Sequence, residues 1–309
     1  MLKLRERVFF ILLILIGLAS AYSLPSFAQT TAPTTGINIS PPLFSNVVVD
    51  PGKVIQNTIR VTNVSERSVN VQMLIRNFVA AGETGGVQLE DPSINTPYSL
   101  ASWITVTPSS FSLSARQTMY VSFVIHVPAN AEPGGRYASI VASVSSPYQN
   151  IGSGSSVGTE IGSLILLTVA GKADINASLL TFTSPGITTK STVNFVERIE
   201  DTGNIHIHPT GDIVISNIFG TKVDTLELQS IDVLPGAVRR IQQKLSTDAL
   251  FGYYNAAIVV NYGGSTSLTE STSFFVIPVW QSIAVLVVII VLLLLRKNIL
   301  RASKAFINK

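Results

Sequence analysis

The sequence contains no cysteine and only three histidines in 309 residues. Without cysteine there is no disulfide and no thiolate-ligated metal site, so any folded part must be held together by its own hydrophobic cores. Charged residues are also scarce, at 13% of the chain against 46% hydrophobic residues. This composition excludes cysteine-based redox chemistry and leaves few side chains for metal catalysis.

Basic charge is concentrated at the two ends of the chain. Between residues 29 and 277 there are 13 Lys and Arg against 17 Asp and Glu, so this central part carries a charge near −4. A nucleic-acid-binding domain needs a basic face on its folded surface. We therefore expect no nucleic-acid partner, although the whole chain has a formal charge of +3.

The first 28 residues have the pattern of a signal peptide. Lys3, Arg5 and Arg7 precede the apolar stretch Phe9 to Leu18, and Ser26-Phe27-Ala28 offers small residues at a cleavage site. An uncleaved N-terminal anchor is the alternative. Residues 29–35 form a short polar spacer.

The segment from Phe274 to Leu295 has only Gln281 and Ser282 as polar side chains. As a helix, its 22 residues would span roughly 33 Å, about the thickness of a bilayer core. We predict a transmembrane helix at 276–295 that contacts the lipid bilayer. The tail at 296–309 is basic and has no acid, which predicts a cytoplasmic location for the tail and an extracellular ectodomain, the type I orientation.

The central part has the pattern of an all-β protein. In "NTIRVTNV", Ile59, Val61 and Asn63 alternate with polar residues, and "VNVQMLI", "MYVSFVIHV", "YASIVASV" and "GSLILLTV" repeat the theme between Pro, Gly, Asn and Ser breaks. Many short strands with regular turns favour sandwiches. We predict two Ig-like β-sandwich domains in tandem, at 36–172 and 173–275.

A weak internal repeat supports two domains. "PGGRYASIVASV" (133–144) and "LFGYYNAAIVVNY" (250–262) both place Gly-x-Tyr before an alternating strand. In Ig-like sandwiches a tyrosine at this position bonds its hydroxyl back to an earlier corner.

Two polar insertions are candidate binding loops: Ser145 to Glu160, predicted as a long hairpin loop, and Ala80 to Leu100. Trp103 is predicted as a core plug between the sheets. A glycan-stacking platform is the alternative interpretation of this tryptophan.

The stretches "GINISPPLFSNVVVDPGKVIQNTIRVTNVSERSVNV" and "ASWITVTPSSFSLSARQTMYVSFVIHVPANAEPGGRYASIVASV" resemble the N-terminal domain of the WxL-interacting protein family of Gram-positive bacteria. They are more distantly similar to pilus-chaperone-like and NEW3-type sandwiches. The resemblance is strongest over 36–172, and the layout of signal, two Ig-like domains, membrane helix and basic tail also matches. It implies a surface protein whose first domain binds peptidoglycan.

"GNIHIHPTGDIVI" (203–215) is the candidate metal site. If the segment is a strand, His206 and His208 share a face, and Asp212 or Asp201 could supply a third ligand, as a catalytic zinc requires. In the alternative, Ile205 and Ile207 face the core while His206 and His208 face solvent. We favour this scaffold interpretation and predict no cofactor.

The sequence predicts a non-catalytic surface protein whose ectodomain binds wall polymer such as peptidoglycan, or a secreted or surface protein partner. One alternative is a pilus-chaperone-like assembly factor that works by strand donation. It requires a long exposed edge strand and a basic pair in an interdomain cleft, for which Arg239-Arg240 is the candidate. The other alternative is a metal-dependent hydrolase that uses His206 and His208.

Overall fold

The computed structural model describes residues 36–91, 93–145, 159–190, 192–246, 250–263 and 266–279, with 282–284, 286–291, 293 and 295 beyond them. The predicted signal peptide, the spacer, residues 146–158 of the predicted hairpin loop and the basic tail lie outside the described residues. Up to residue 277, the regular elements described are β-strands and one 3-10 turn, Ala101–Trp103. This confirms the all-β prediction.

The first sandwich, sandwich 1, comprises residues 36–169. Its strands are β1 (Ile37–Ser40), β2 (Leu43–Val49), β3 (Val54–Asn63), β4 (Val69–Ala81), β5 (Gly86–Leu89), β6 (Ile104–Thr107), β7 (Ser110–Leu113), β8 (Thr118–His126), β9 (Gly134–Ser145) and β10 (Thr159–Val169). One sheet has the order β1-β3-β8-β6, and the other has the order β2-β10-β9-β4-β5 with β7 also paired to β4. These orders match the ABED and GFC sheets of an Ig-like sandwich.

The second sandwich, sandwich 2, comprises residues 177–276 and has the same order without counterparts of β6 and β7. Its strands are β11 (Ala177–Thr183), β12 (Ile187–Thr188), β13 (Thr192–Asp201), β14 (Thr210–Asn217), β15 (Lys222–Glu227), β16 (Val238–Ser246), β17 (Gly252–Gly263) and β18 (Thr266–Val276). One sheet is β11-β13-β16 and the other is β12-β18-β17-β14-β15. The strands β9 and β17, which carry the Gly-x-Tyr repeat, occupy the same place in their sheets.

In both sandwiches the first strand divides between the two sheets. β1 pairs with β3, and β2 then pairs in parallel with β10; β11 and β12 do the same with β13 and β18. Pro41 and Pro185 lie in the two connections. Because proline has no N–H to donate to a ladder, it favours leaving one sheet before joining the next.

Each sandwich has its own core, which follows from the alternation of its strands. Ile59 and Val61 of β3 are fully buried together with Asn63, as the alternation predicts, and they pack in a cluster with Phe123. In sandwich 2, Phe195 of β13 packs edge-on against Phe274 of β18 in a separate cluster. Successive strand residues point to opposite faces, so each inner face is apolar and each outer face is free to carry other chemistry.

We refer to one end of each sandwich as its exit end. In sandwich 1 it is the end where β9 begins and β10 ends, at the pair Gly134 and Val169. In sandwich 2 it is the end where β17 begins and β18 ends, at the pair Gly252 and Val276. At both ends the chain leaves the sandwich.

In the described part of the chain, no helix is long and apolar enough to cross a membrane. Parts of the segment 276–295, for which a transmembrane helix is predicted, lie outside the described residues.

Candidate binding cleft between the sandwiches

The β4–β5 hairpin of sandwich 1 reaches sandwich 2 through its turn. Arg198 of β13 donates to the Glu83 carboxylate from Nε, at 2.9 Å from Oε2, and also from Nη2 to Oε1. The backbone N–H of Arg240 donates to the Glu83 carbonyl at 2.8 Å. The hydrogen bond from Arg198 holds the pKa of Glu83 below its ordinary value. The insertion predicted at Ala80 to Leu100 therefore contains a docking hairpin.

Tyr137 of β9 makes a buried contact at the junction. Its hydroxyl accepts the backbone N–H of His206 at 2.8 Å, and the His206 ring packs edge-on against the tyrosine ring. Next to it, the Gly135 N–H donates to the Asn204 carbonyl at 2.8 Å. Burial raises the pKa of Tyr137 well above its ordinary range, so the hydroxyl keeps its proton at physiological pH.

The tyrosine of the second repeat behaves differently. The Tyr254 hydroxyl exchanges two 3.2 Å hydrogen bonds with the backbone of Phe251, three residues upstream in the same sandwich. This is the corner contact predicted from the repeat. The prediction is confirmed for Tyr254 and is wrong for Tyr137, whose hydroxyl reaches the neighbouring sandwich.

A cleft of about 270 Å³ lies beside this junction. Its sandwich 1 wall is mostly apolar and comprises Leu43, Ser45, Phe78, Gly85, Val87, Leu164 and Leu166. Its sandwich 2 wall is mixed and comprises His208, Ser230, Ile231, Asp232, Leu234 and Arg239. The volume is slightly below the ~300–1,000 Å³ of typical ligand pockets, so it suits one or two side chains of a larger partner.

Arg239 and Asp232 bring opposite charges to the cleft. Nη2 of Arg239 donates to the Asp232 carbonyl at 3.0 Å, while Nε of Arg239 is buried and has no hydrogen-bond partner among the described residues. Burial lowers the pKa of this guanidinium from its ordinary value. Because Arg239 is partly shielded from water, an acidic group that entered the cleft would interact with its charge more strongly than with that of an exposed arginine.

Gly85 makes room for this arginine. A Cβ added to Gly85 would lie 2.0 Å from Nη1 of Arg239, and the glycine has a φ of +95°. A side chain here would displace the guanidinium and strain the turn, since L-residues with a side chain rarely adopt this φ. The Gly85 position thus helps to hold Arg239 in place.

The histidines do not share the strand face that the candidate metal site requires. The segment 203–209 is not a regular strand, and only Ile207 makes a bridge, to Val233. His206 is 9% exposed, so the prediction that it faces solvent is wrong. His208 Nδ1 lies 2.8 Å from Asp232 Oδ1 at the cleft wall. Burial lowers the pKa of His206, which favours its neutral form.

The remaining candidate ligands lie elsewhere. Asp212 lies in β14, opposite Glu227 and Val259, and does not line the cleft. Asp201 is fully buried and accepts the Gly203 N–H at 2.8 Å. Among the residues that the structure describes, no three His, Asp or Glu side chains are grouped so that they could hold a metal ion.

Trp103 is half-buried and packs against the sandwich 1 core from the 3-10 turn Ala101–Trp103, not from a strand. The guanidinium carbon of Arg136 lies 5.6 Å from its ring centroid. Both contacts cover part of the ring, which agrees with the core-plug prediction better than with a free stacking platform.

No protein-family model matches the chain, and no curated protein matches it either. The resemblance to the WxL-interacting family therefore stays a prediction.

Several solved structures are similar to the chain. One is a chain of the chaperone–tip adhesin complex of CFA/I fimbriae biogenesis, with 15% identity, a TM-score of 0.39, and coverage of 77% of this chain and 99% of that one. Another is the class 5 fimbriae chaperone CfaA, with 15% identity, a TM-score of 0.38, and coverage of 76% and 98%. A third is the complex of Salmonella enterica SafA pilin with the SafB chaperone, with 14% identity, a TM-score of 0.35, and coverage of 78% and 99%. These matches assign no function to the chain, and the Ig-like fold follows from the strand orders given above.

Proposed function

We propose that the protein is a non-catalytic binding protein, anchored at the cell surface, that holds a segment of a polypeptide partner in the cleft between its two sandwiches. One observation carries this proposal: Arg239, a partly buried cation, lines a cleft whose opposite wall is apolar. Apolar contact area with one well-placed charged group is typical of binding sites for partner chains.

The chemistry of the cleft defines the segment it would hold. Leu164 and Leu166 suit apolar side chains, and the guanidinium of Arg239 suits an acidic group. Leu43 and Ser45, at the start of edge strand β2, also line the cleft. A partner chain in extended conformation could therefore add to the β2 edge while its side chains enter the cleft.

The anchor in this proposal is the apolar segment 276–295, with the basic tail inside the cell and the signal peptide directing the ectodomain outward. Orientation by basic residues near a membrane segment supports this arrangement. The sandwiches would then present the cleft to partners at the cell surface.

Polypeptide is favoured over wall glycan as the ligand. The ring of Trp103, the aromatic side chain predicted as a glycan platform, is partly covered by the core and by Arg136. We expect the full-length protein to show no specific co-sedimentation with purified cell-wall sacculi. Saturable pelleting with sacculi would contradict the polypeptide assignment.

The direct test selects peptides from a random displayed library on the full-length protein in lipid nanodiscs. We expect enrichment of extended sequences with apolar residues and an acidic group, and loss of that enrichment for Arg239→Gln. The matched control is Arg60→Gln, because Arg60 is an exposed arginine of β3 that does not line the cleft. Equal peptide enrichment by the Arg239→Gln and Arg60→Gln variants, or no enrichment by the wild type, would contradict the proposal.

A second candidate is an assembly factor that donates a strand to an incomplete client. The position of Arg239 in the cleft favours it, as does the free outer edge of β2 in the described part of the sheet. Only Arg239 of the predicted basic pair lines the cleft, since Arg240 is exposed. A donor of this kind would release its bound client when a competing strand completes the client's sheet, whereas a simple receptor would not.

A further inference from the structure

The exit ends of the two sandwiches are equivalent in strand order, but their surroundings differ. At the exit end of sandwich 1, Glu83, Gly135 and Tyr137 are all in contact with sandwich 2. Among the described residues, no further domain contacts the exit end of sandwich 2. The side chains there indicate what covers this end.

Three outward side chains form a row across neighbouring strands at this end. Ile187 of β12 pairs with Phe275 of β18, and Phe275 pairs with Tyr253 of β17. All three are exposed, while their sequence neighbours Thr188, Phe274 and Tyr254 are buried. Adjacent strands lie about 4.8 Å apart, so the row is one continuous apolar strip on the outer face of the sheet.

Two loops extend this strip. Phe251, directly before β17, is 65% exposed. The turn between β14 and β15 carries Ile218 and Phe219, which are 69% and 88% exposed. Strand β14 pairs with β17 at Asn217 and Tyr254, so this turn lies at the same end.

The β14–β15 turn presents its apolar side chains in a fixed geometry. The Asn217 side-chain oxygen accepts the N–H of Phe219 and the N–H of Thr221, each at 3.0 Å. The Gly220 N–H donates to the Asn217 carbonyl at 2.9 Å, and Gly220 has a φ of +77°. A hydrogen-bonded turn that displays Phe219 outward indicates a contact surface, because large apolar groups clustered on a surface mark interaction sites.

The course of the chain identifies the occupant. β18 ends at Val276, beside the row, and the apolar segment to Leu295 starts at the same end of the sandwich. Aromatic side chains next to a membrane segment are favoured at the level of the lipid headgroups. We propose that the exit end of sandwich 2 lies on the bilayer surface, with Phe219, Phe251 and Phe275 inserted among the headgroups. This inference rests on the proposed membrane anchor.

The contact would fix the height of the cleft. Strand β17 runs 12 residues from the exit end toward sandwich 1, which is roughly 40 Å. If sandwich 2 contacts the lipid, the cleft at its other end lies at about this distance from the bilayer. The contact would also restrict rotation of the two sandwiches about the connection to the membrane segment.

The absence of cysteine makes the test direct, because one introduced cysteine can be labelled uniquely in the full-length chain. Phe219→Cys and Phe251→Cys carry a bimane fluorophore in phosphatidylcholine vesicles, with and without lipid that bears a headgroup-level nitroxide quencher. Tyr120→Cys is the matched control, since Tyr120 is an aromatic residue of β8 in sandwich 1 that is 67% exposed. Ile289→Cys in the apolar segment reports the anchor itself, with an acyl-chain nitroxide as quencher.

We expect several-fold stronger quenching at positions 219 and 251 than at 120, together with strong acyl-chain quenching at 289. Quenching at 289 but not at 219 or 251 would overturn the lipid contact and leave the anchor intact. No quenching at 289 would overturn the anchor, and this inference with it. If the bimane at position 219 is shielded from water to an extent that depends on protein concentration and not on lipid, a second copy of the chain covers this end. That result would also overturn the proposal.

Discussion

Sandwich 1 and sandwich 2 have the same order of their shared strands, yet their equivalent tyrosines have different partners. Tyr254 bonds to Phe251 in its own sandwich, whereas Tyr137 bonds to His206 of the neighbouring one. The equivalent hairpin turns differ in the same way: Glu83 of the first is ion-paired to Arg198, and Phe219 of the second is exposed. The same end of the fold thus contacts the neighbouring sandwich through polar and apolar groups in sandwich 1, whereas in sandwich 2 it exposes apolar side chains.

The largest expected effect comes from removing the tyrosine ring. Tyr137→Ala and Tyr254→Ala each delete a buried aromatic side chain, and each should cost about 3–5 kcal/mol of stability. Only Tyr137→Ala should also uncouple the sandwiches, because only its ring packs against a residue of the other sandwich. In urea, we expect the fluorescence of Trp103 and the far-ultraviolet circular dichroism to change together when Tyr137 and Tyr254 are both intact.

In Tyr137→Ala the two transitions should separate, with Trp280→Phe as background so that Trp103 is the remaining tryptophan. Tyr254→Ala serves as the control. Separation in both variants, or in neither, would contradict the role given to Tyr137.

The next effect concerns the last residue of two equivalent strands. Asn63 ends β3 and Asp201 ends β13, and each side chain accepts the N–H two residues on. The Asn63 amide also donates to three carbonyls, whereas Oδ2 of Asp201 has no partner among the described residues. Burial raises the pKa of Asp201 from an ordinary value of 3.8 to about 7.

Because the folded state holds the Asp201 proton more tightly than the unfolded chain, stability falls as pH rises from about 4 to about 7. Asp201→Asn should therefore be close to neutral at pH 4 and stabilise the fold by about 2–4 kcal/mol at pH 8. Glu197, whose pKa burial also raises to about 7, keeps part of the pH dependence in the variant.

Chemical denaturation at pH 4 and pH 8 measures this difference. The reciprocal change, Asn63→Asp, is the control and should destabilise sandwich 1, because it loses donors to three carbonyls. An Asp201→Asn variant that loses stability at pH 8 would show that the carboxylate is paired.

A smaller effect is expected when only the hydroxyl is removed. Tyr137→Phe leaves the buried N–H of His206 without its acceptor, which costs about 1–3 kcal/mol, and Tyr254→Phe should cost about 0.5–1.5 kcal/mol. Amide hydrogen exchange should speed up at His206 in the first variant and at Phe251 in the second. Faster exchange at His206 in both variants would mean that the two contacts are not independent.

The smallest effect belongs to the exposed ion pair at the junction. Glu83→Gln removes the charge that faces Arg198, but both side chains are partly solvated, so we expect a slight loss of thermal stability. This loss should disappear as sodium chloride is raised, because salt screens the pair in the wild type. Arg116→Gln removes a comparable exposed pair with Glu66 inside sandwich 1 and is the control. A loss of thermal stability in Glu83→Gln that persists at high salt would indicate that Glu83 contributes through packing and not through its charge.

Much of the fold could be predicted because it depends on local patterns. The alternation around Ile59 and Val61 sets which side of β3 is buried, and Asp50-Pro51-Gly52, a tripeptide typical of turns, forms a turn with Gly52 at a φ of +80°. The Gly-x-Tyr repeat correctly indicated equivalent strands. These features depend on neighbours within a few residues, which the sequence displays directly.

The junction could not be predicted in this way, because it joins residues far apart in sequence. His206 reads as solvent-facing by alternation, and only its contact with Tyr137, 69 residues away, explains its burial. Arg239 and Arg240 read as a pair, but neighbouring strand residues point to opposite faces, so only Arg239 lines the cleft. The long insertion that carries Glu83 was predicted as a binding loop, but the sequence did not indicate that it contacts sandwich 2.

Amide hydrogen exchange of the full-length protein, measured in detergent and in lipid vesicles, tests the coverage of both exit ends. We expect the amides of Gly135 and His206, which make inter-sandwich contacts, to exchange slowly in both media. We expect the amides of Phe219 and Phe251 to be protected more strongly in vesicles than in detergent. Fast exchange at His206 in both media, or equal exchange at Phe219 and Phe251 in the two media, would contradict the claim that each exit end is covered by its own neighbour.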